Sequence, residues 1–215
     1  MRGKFIVIEG PDGSGKSTQV KLLLEYLENK GLPVFALREP GGTAIGEKIR
    51  RILRDPALSE MTVRTEMFLY MASRAQIVEQ IIIPELENGK IVIADRFLLS
   101  TVVYQGAAGG LGAKTVLEIG EIATGGLKPD LTIIVDLSEK KWISRKGLQR
   151  DGAQMNIFDE PPDREELKGI EFHKKVRKAY ADFAAGDRAF ALIDGDGDPL
   201  EVHGRIVKVV ENAIR

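Results

Sequence analysis

Five short apolar runs, residues 5–8, 34–37, 91–94, 131–135 and 190–193, punctuate the chain, and longer stretches with apolar residues at helical spacing separate them. None of the five runs alternates apolar with polar positions, which is the pattern of strands covered on both faces of a parallel sheet. The helical stretches are 16–29, 45–53, 63–87, 99–104, 113–124, 140–146, 163–185 and 199–213. Strand-like and helix-like segments in this order predict an α/β fold of the doubly wound kind, a five-stranded parallel sheet flanked by helices on both faces. One stretch, 147–162, breaks the rhythm. Gly147, Gly152, Pro161 and Pro162 interrupt a segment without clear periodicity, and a mobile loop between two helices is expected there.

Composition narrows the function classes. A chain of 215 residues fits one domain spanning 1–215. Its 31 Lys and Arg against 32 Asp and Glu leave no global basic field to attract a nucleic-acid polymer or an anionic membrane, so any anion must be recognised locally. Cysteine is absent, which removes disulfides and thiolate metal sites and suits a reducing compartment; the expected location is cytoplasmic. No stretch is long and apolar enough for a membrane span, and residues 1–9 hold no signal-like apolar segment.

Candidate chemistry begins directly after the first apolar run. Gly10-Pro11-Asp12-Gly13-Ser14-Gly15-Lys16-Ser17-Thr18 is a GxxxxGK[ST] loop between a strand pattern and a helix pattern. Glycines at these spacings let the backbone aim several amides at one anion, Lys16 adds a charge for the β- and γ-phosphates, and Ser17 offers a hydroxyl to Mg²⁺. A nucleoside triphosphate, ATP, is the expected ligand. The chain has no NKxD for guanine and no LSGGQ-like segment, and its loop lacks the extra lysine of partitioning ATPases, so small-molecule kinases remain. A second element, Ile91-Val92-Ile93-Ala94-Asp95-Arg96, delivers a carboxylate and a guanidinium to the carboxyl end of a strand, where such sheets bind ligands. Asp95 is the candidate for the Mg²⁺ shell and Arg96 for a phosphate.

The segment Asp95-Arg96-Phe97-Leu98-Leu99-Ser100-Thr101-Val102-Val103-Tyr104-Gln105-Gly106 resembles the DRYxxSxxAYQG signature of thymidylate kinases. Arg38-Glu39-Pro40-Gly41-Gly42-Thr43, continuing to Arg50, is similar to the family's REPGGTxxGExIR element. Met67 to Gln76 is similar to its LFxAxRAQ helix, and Asp163 to Tyr180 to its DRxE...FxxxVRxxY run. The resemblance covers nearly the whole chain. It implies transfer of a phosphoryl group from ATP to dTMP with Mg²⁺, a step toward dTTP, by a homodimer paired along the 63–87 helix.

Roles follow from the resemblance position by position. Asp12 orients the acceptor through the sugar 3'-hydroxyl and a phosphate-binding arginine; a loop-stabilising turn is the alternative. Arg74 donates to thymine O4, Phe68 stacks on the base, Ser100 and Gln105 lie near it, and Tyr104 sits by C2' of the sugar. Arg50 and Arg96 hold the acceptor phosphate, and Glu39 and Pro40 are further expected contacts of dTMP. No arginine lies inside the phosphate loop, so the cation at the migrating phosphoryl must come from Arg145, Arg150 or Arg164, in or beside a lid at about 145–164. That lid is longer than the family pattern and carries acidic residues. His173 and His203, both on expected helices, are read as structural or solvated. The Asp194-Gly195-Asp196-Gly197-Asp198 run lacks an EF-hand frame and is expected to border the adenine. Two other readings stay open: a kinase for a different small acceptor, and a nucleotide-binding protein with little turnover.

Overall fold

The computed structural model describes residues 2–138, 140–142, 144, 164–165, 167–185 and 189–214. All five expected strands are present: β1 (Phe5–Glu9), β2 (Val34–Arg38), β3 (Ile91–Asp95), β4 (Leu131–Asp136) and β5 (Phe190–Asp194). They pair in parallel in the order β2-β3-β1-β4-β5, so the strand that feeds the glycine loop occupies the centre of the sheet. β1 lies between β3 and β4, with Ile8 level with Asp95 on one side and Ile133 on the other. That register brings the loop after β1 beside the Asp95-Arg96 end of β3.

Each strand presents its successive side chains to opposite faces. Ile6, Ile8, Ile93, Ile133 and Val135 enter one core with Leu23 and Leu27 of α1 (Lys16–Asn29) and with Val202, Ile206 and Val210 of the last helix. Phe5, Val7, Val92 and Ala94 enter the other with Ile77, Val78, Ile82 and Phe97. The unbroken apolar runs are thus two half-strands of alternate positions, each buried against a different layer.

The remaining helices on the second face are α2 (Ala44–Arg54), α3 (Val63–Ile77), α4 (Ile83–Glu87), α5 (Leu98–Thr101), α6 (Ala113–Thr124) and α7 (Ile170–Ala184); α8 (Pro199–Ile214) packs with α1. The expected 63–87 helix is continuous but widens into a π-helical turn, Val78–Ile82, between α3 and α4. Pro84 accounts for this locally: it has no amide hydrogen and its ring would strike a carbonyl one turn back, and the wider turn accommodates both. A second π-helical turn, Val102–Ala108, continues α5 past residue 104. The helix expected from 163 begins later, at Ile170, because Gly169 stands in an extended conformation at its cap while Arg164, Glu165 and Lys168 make contacts of their own with α3. Of the expected 140–146 helix, Lys140, Lys141, Trp142 and Ser144 are helical and the rest lies outside the described residues, as does the expected loop 147–162.

No described helix is long and apolar enough to cross a membrane. Ile6, fully buried on the central strand, should be costly to truncate. Ile6→Ala is expected to lower stability by about 2–5 kcal/mol in urea unfolding; a loss under about 1 kcal/mol would contradict its place in the core.

Candidate active site

The carboxyl ends of β1, β2 and β3 open into one cleft of about 1120 Å³. One end is built by residues 12–18 and the other by Arg38, Glu39, Pro40, Arg50, Arg54, Tyr70 and Arg74, with Asp95, Arg96, Ser100, Thr101, Tyr104 and Gln105 between them. Gly195, Gly197, Pro199 and Val202 close a side wall, so the Asp-Gly run does border the cleft, beside the loop end.

The loop needs its glycines. Gly10, Gly13 and Gly15 all have φ in the left-handed region, at 139°, 80° and 94°, and a Cβ on Gly10 would lie 2.3 Å from the Val135 carbonyl oxygen. Gly15 caps α1 without a side-chain hydrogen bond, so the first amides of a 14-residue helix are directed into the loop's concavity. Lys16 is buried and its Nζ donates to the Pro11 carbonyl at 2.8 Å. Burial, followed by the nearby Arg96 charge, lowers its ammonium to about 8, although Asp12, Asp95 and Glu9 pull the other way. Ser17 Oγ donates to Asp95 Oδ2 at 2.6 Å, which joins the start of α1 to the end of β3.

Arg96 occupies the junction of the two ends. Its backbone is left-handed, φ 72°, the one such non-glycine among the described residues, a strained geometry that turns the side chain back across the cleft floor. Nη2 is ion-paired to Asp12 Oδ1, and Nη1 donates to Ser100 Oγ at 2.9 Å and toward the Gly10 carbonyl at 3.3 Å. Tyr104 donates to Asp12 Oδ2 at 2.8 Å. Beneath this layer Glu9 accepts from the amides of Phe97 and Ser100, from Ser100 Oγ at 2.6 Å and from Tyr180 at 2.9 Å. Burial first, then Asp12 for Tyr104 and Glu9 for Tyr180, push both phenols well above their ordinary value, so both remain hydroxyl donors. Trp142 Nε1 adds a bond to the Asp12 carbonyl at 3.0 Å, and His173, buried as a structural residue, lies against the indole.

At the far end Arg74, 1% exposed, donates to the Phe97 carbonyl at 3.0 Å and to Thr101 Oγ1 at 3.1 Å, and its Nε lies 2.8 Å from Glu39 Oε2. Burial pushes the Glu39 carboxyl up to about 7, against the pull of the Arg74 guanidinium. Arg50 Nη1 donates to the Pro40 carbonyl at 3.0 Å, and burial with the neighbouring Arg50 lowers the Arg38 guanidinium.

The structure therefore gathers Asp12, Ser14, Lys16, Ser17, Thr18, Glu39, Pro40, Arg50, Arg74, Asp95, Arg96, Ser100, Tyr104 and Gln105 around one cleft. Phe68 is not among them: it is 52% exposed on the outer side of α3. It precedes Arg74 by six residues, which at about 100° per residue puts the two on different faces. Tyr70, four before Arg74, shares its face and lines the cleft, and the i, i+4 rule applied to Arg74 would have selected it. Arg164 does not line the cleft; its Nη1 lies 3.1 Å from Glu66 Oε1. Arg145 and Arg150 lie outside the described residues. Glu9, Tyr180 and Trp142, the supports of Arg96 and Asp12, were given no role by sequence reasoning, although Tyr180 closes the DRxE...FxxxVRxxY run and Glu9 stands at a strand end.

A glycine loop with a buried lysine, facing an arginine-rich end across a shared floor, defines a P-loop phosphotransferase that joins two anionic molecules. A family model described as thymidylate kinase matches residues 8–206, and the chain belongs to that family. Thymidylate kinase of Caldanaerobacter subterraneus subsp. tengcongensis is 48% identical over 100% of this chain and 98% of its own length, and that of Symbiobacterium thermophilum is 44% identical over 98% and 94%. The crystal structure of thymidylate kinase from Ehrlichia chaffeensis superposes with a TM-score of 0.77 at 30% identity, covering 98% of this chain and 100% of that one.

The Lys16 environment sets a pH signature. A bound triphosphate favours the ammonium and raises its pKa, so affinity is full below about 8 and is lost as pH climbs through that value. Titration calorimetry with ATP should show affinity about tenfold weaker at pH 9 than at pH 7, and a flat profile would show that Lys16 is not the responding group.

Proposed function

We propose that the chain phosphorylates dTMP to dTDP at the expense of ATP, the phosphate loop holding the donor and the Arg74 end holding the acceptor. The observation that carries this reading is the Arg96–Asp12 pair, which joins the loop end of the cleft to the Tyr104–Gln105 end.

An acceptor phosphate is already an anionic nucleophile, and a base is not required. One of its oxygens bonds to the γ-phosphorus while the bond to the β–γ bridging oxygen breaks, and that oxygen leaves with ADP. The obstacle is charge repulsion and alignment, which fixed dipoles and cations reduce. The loop amides and Lys16 bind the donor phosphates. Arg96, with Arg50 and Arg38 on the acceptor side, draws in the second phosphate, and the tyrosine and carboxylate partners of Arg96 keep its fork from swinging.

Ser17 Oγ and Asp95 Oδ2 are adjacent hard oxygen donors at the phosphate end, and the described residues hold no cluster of three acidic or histidine ligands. Two protein oxygens completed by phosphates and water suit Mg²⁺, which supplies charge neutralisation at the phosphates when bound. Tyr70 and Arg74 both line the base end, where Tyr70 would stack on a planar ring, Arg74 would donate to a ring carbonyl and Tyr104 would be set toward the sugar. Arg145 and Arg150 remain proposed lid cations. Pairing of two copies along α3 is likewise proposed, supported by the exposed Phe68 on its outer side, as is a cytoplasmic place of work.

An ADP-release assay with dTMP, dUMP, dCMP, AMP and shikimate side by side tests the reading. dTMP should give the highest turnover; a different best acceptor would support another small-molecule kinase, and ATP binding without ADP release a nucleotide-binding protein. Lys16→Ala and Arg96→Ala should lower kcat by about a hundredfold or more, and near-normal rates in either would overturn its role. Arg74→Ala should raise KM for dTMP far more than for ATP, with some loss of stability from the uncovered Glu39 carboxyl; equal losses for both nucleotides would remove Arg74 from the base site.

A further inference from the structure

Gln105 lies on the cleft wall, and its amide is gripped from behind. Nε2 donates to Glu66 Oε2 at 3.1 Å. Glu66, 1% exposed on α3, stands four residues before Tyr70 and eight before Arg74, on the same helix face. It is also the meeting point of the segment that precedes α7: Lys168 Nζ lies 3.3 Å from Oε2 and Arg164 Nη1 lies 3.1 Å from Oε1, with Glu165 beside them. Burial alone would raise the Glu66 carboxyl, but its neighbours Glu165, Lys168, Gln105 and Arg164 together hold it below the ordinary carboxylate value. Burial and the neighbouring Glu66 push Glu165 the other way, up to about 8.

An ionised carboxylate only accepts hydrogen bonds. Gln105 must turn its NH₂ toward Glu66, since the flipped amide would set two oxygens against each other in a buried site. The carbonyl Oε1 is then the acceptor of that amide left for a ligand in the cleft.

We infer that Glu66 is a positioning residue for base selection, locking the Gln105 amide so that its carbonyl faces the acceptor base and accepts from a ring N–H. This rests on the proposal that a nucleotide base occupies the Arg74 end. Thymine and uracil both carry N–H at N3 and satisfy that carbonyl. Cytosine presents a lone pair at N3 and an amino group in place of O4, so it is opposed by Gln105 and by Arg74 at two adjacent atoms. The lysine and arginine beyond Glu66 act through it, by keeping it charged.

The test is Glu66→Gln, in which residue 66 can offer either a donor or an acceptor and the Gln105 amide is free to flip. Dissociation constants and kcat/KM are measured for dTMP, dUMP and dCMP. The dTMP-to-dCMP preference should fall about tenfold, the worth of one reversed hydrogen bond. The dTMP-to-dUMP ratio, which does not depend on N3, should stay within about twofold, and KM for ATP should not move. Gln105→Met, which leaves the Glu66 cluster intact, should lower the dTMP-to-dCMP preference to a similar degree, and adding Glu66→Gln to it should lower that preference no further. An unchanged dTMP-to-dCMP preference in either single variant, or both ratios falling together, would overturn the assignment. Wild-type protein that does not use dTMP at all would instead overturn the function on which it rests.

Discussion

The site depends on one contact, the pairing of Arg96 with Asp12. Two phosphorylated molecules repel each other, and an enzyme that brings them end to end needs cations at the meeting point that do not retreat into solvent. Arg96, the cation at the junction of the two ends of the cleft, has a left-handed backbone at the end of β3, a strain tolerated because five partners over-determine the side chain. Asp12 sits inside the phosphate loop, where a carboxylate would otherwise repel an anion; its charge is balanced by Arg96, and Tyr104 donates to its second oxygen. The same pair therefore supports the loop and stands at the junction of the two ends of the cleft.

Beneath it, Glu9 and Tyr180 form a buried polar layer whose members are each satisfied, the condition under which such networks rigidify a core instead of weakening it. The central position of β1 explains why this layer can exist. With β3 and β4 as its neighbours, the end of β1 meets Arg96 and Phe97 laterally and Tyr180 of α7 from the second face. A strand at the sheet edge would have had only one such neighbour.

Much of this was readable in the order of residues. Apolar runs located all five strands because burial on both faces leaves little freedom of composition, and the phosphate loop was legible because its backbone geometry demands glycine. Legibility failed where the decisive fact was angular or long-range. Phe68 was placed at the base by the resemblance, whereas helical phase puts Tyr70 on the Arg74 face. Gly169 ends a run that composition alone extended back to residue 163. Trp142 reaches the Asp12 carbonyl from 130 positions away, and Gln105 meets Glu66 across 39, with no local spacing to announce either. Asp12, Arg74 and Arg96 sit in motifs, while some of the residues that hold the site in place, Glu9 and Trp142 among them, lie outside any quoted motif.

The most direct test of the central claim is a crystal structure with adenosine and thymidine joined through a chain of phosphates. The chain should run from the loop amides and Lys16 to the Arg96 guanidinium, with the thymine ring at Arg74 and Gln105. A thymidine end lodged away from Arg96, for example along the Gly195–Pro199 wall, would contradict the account.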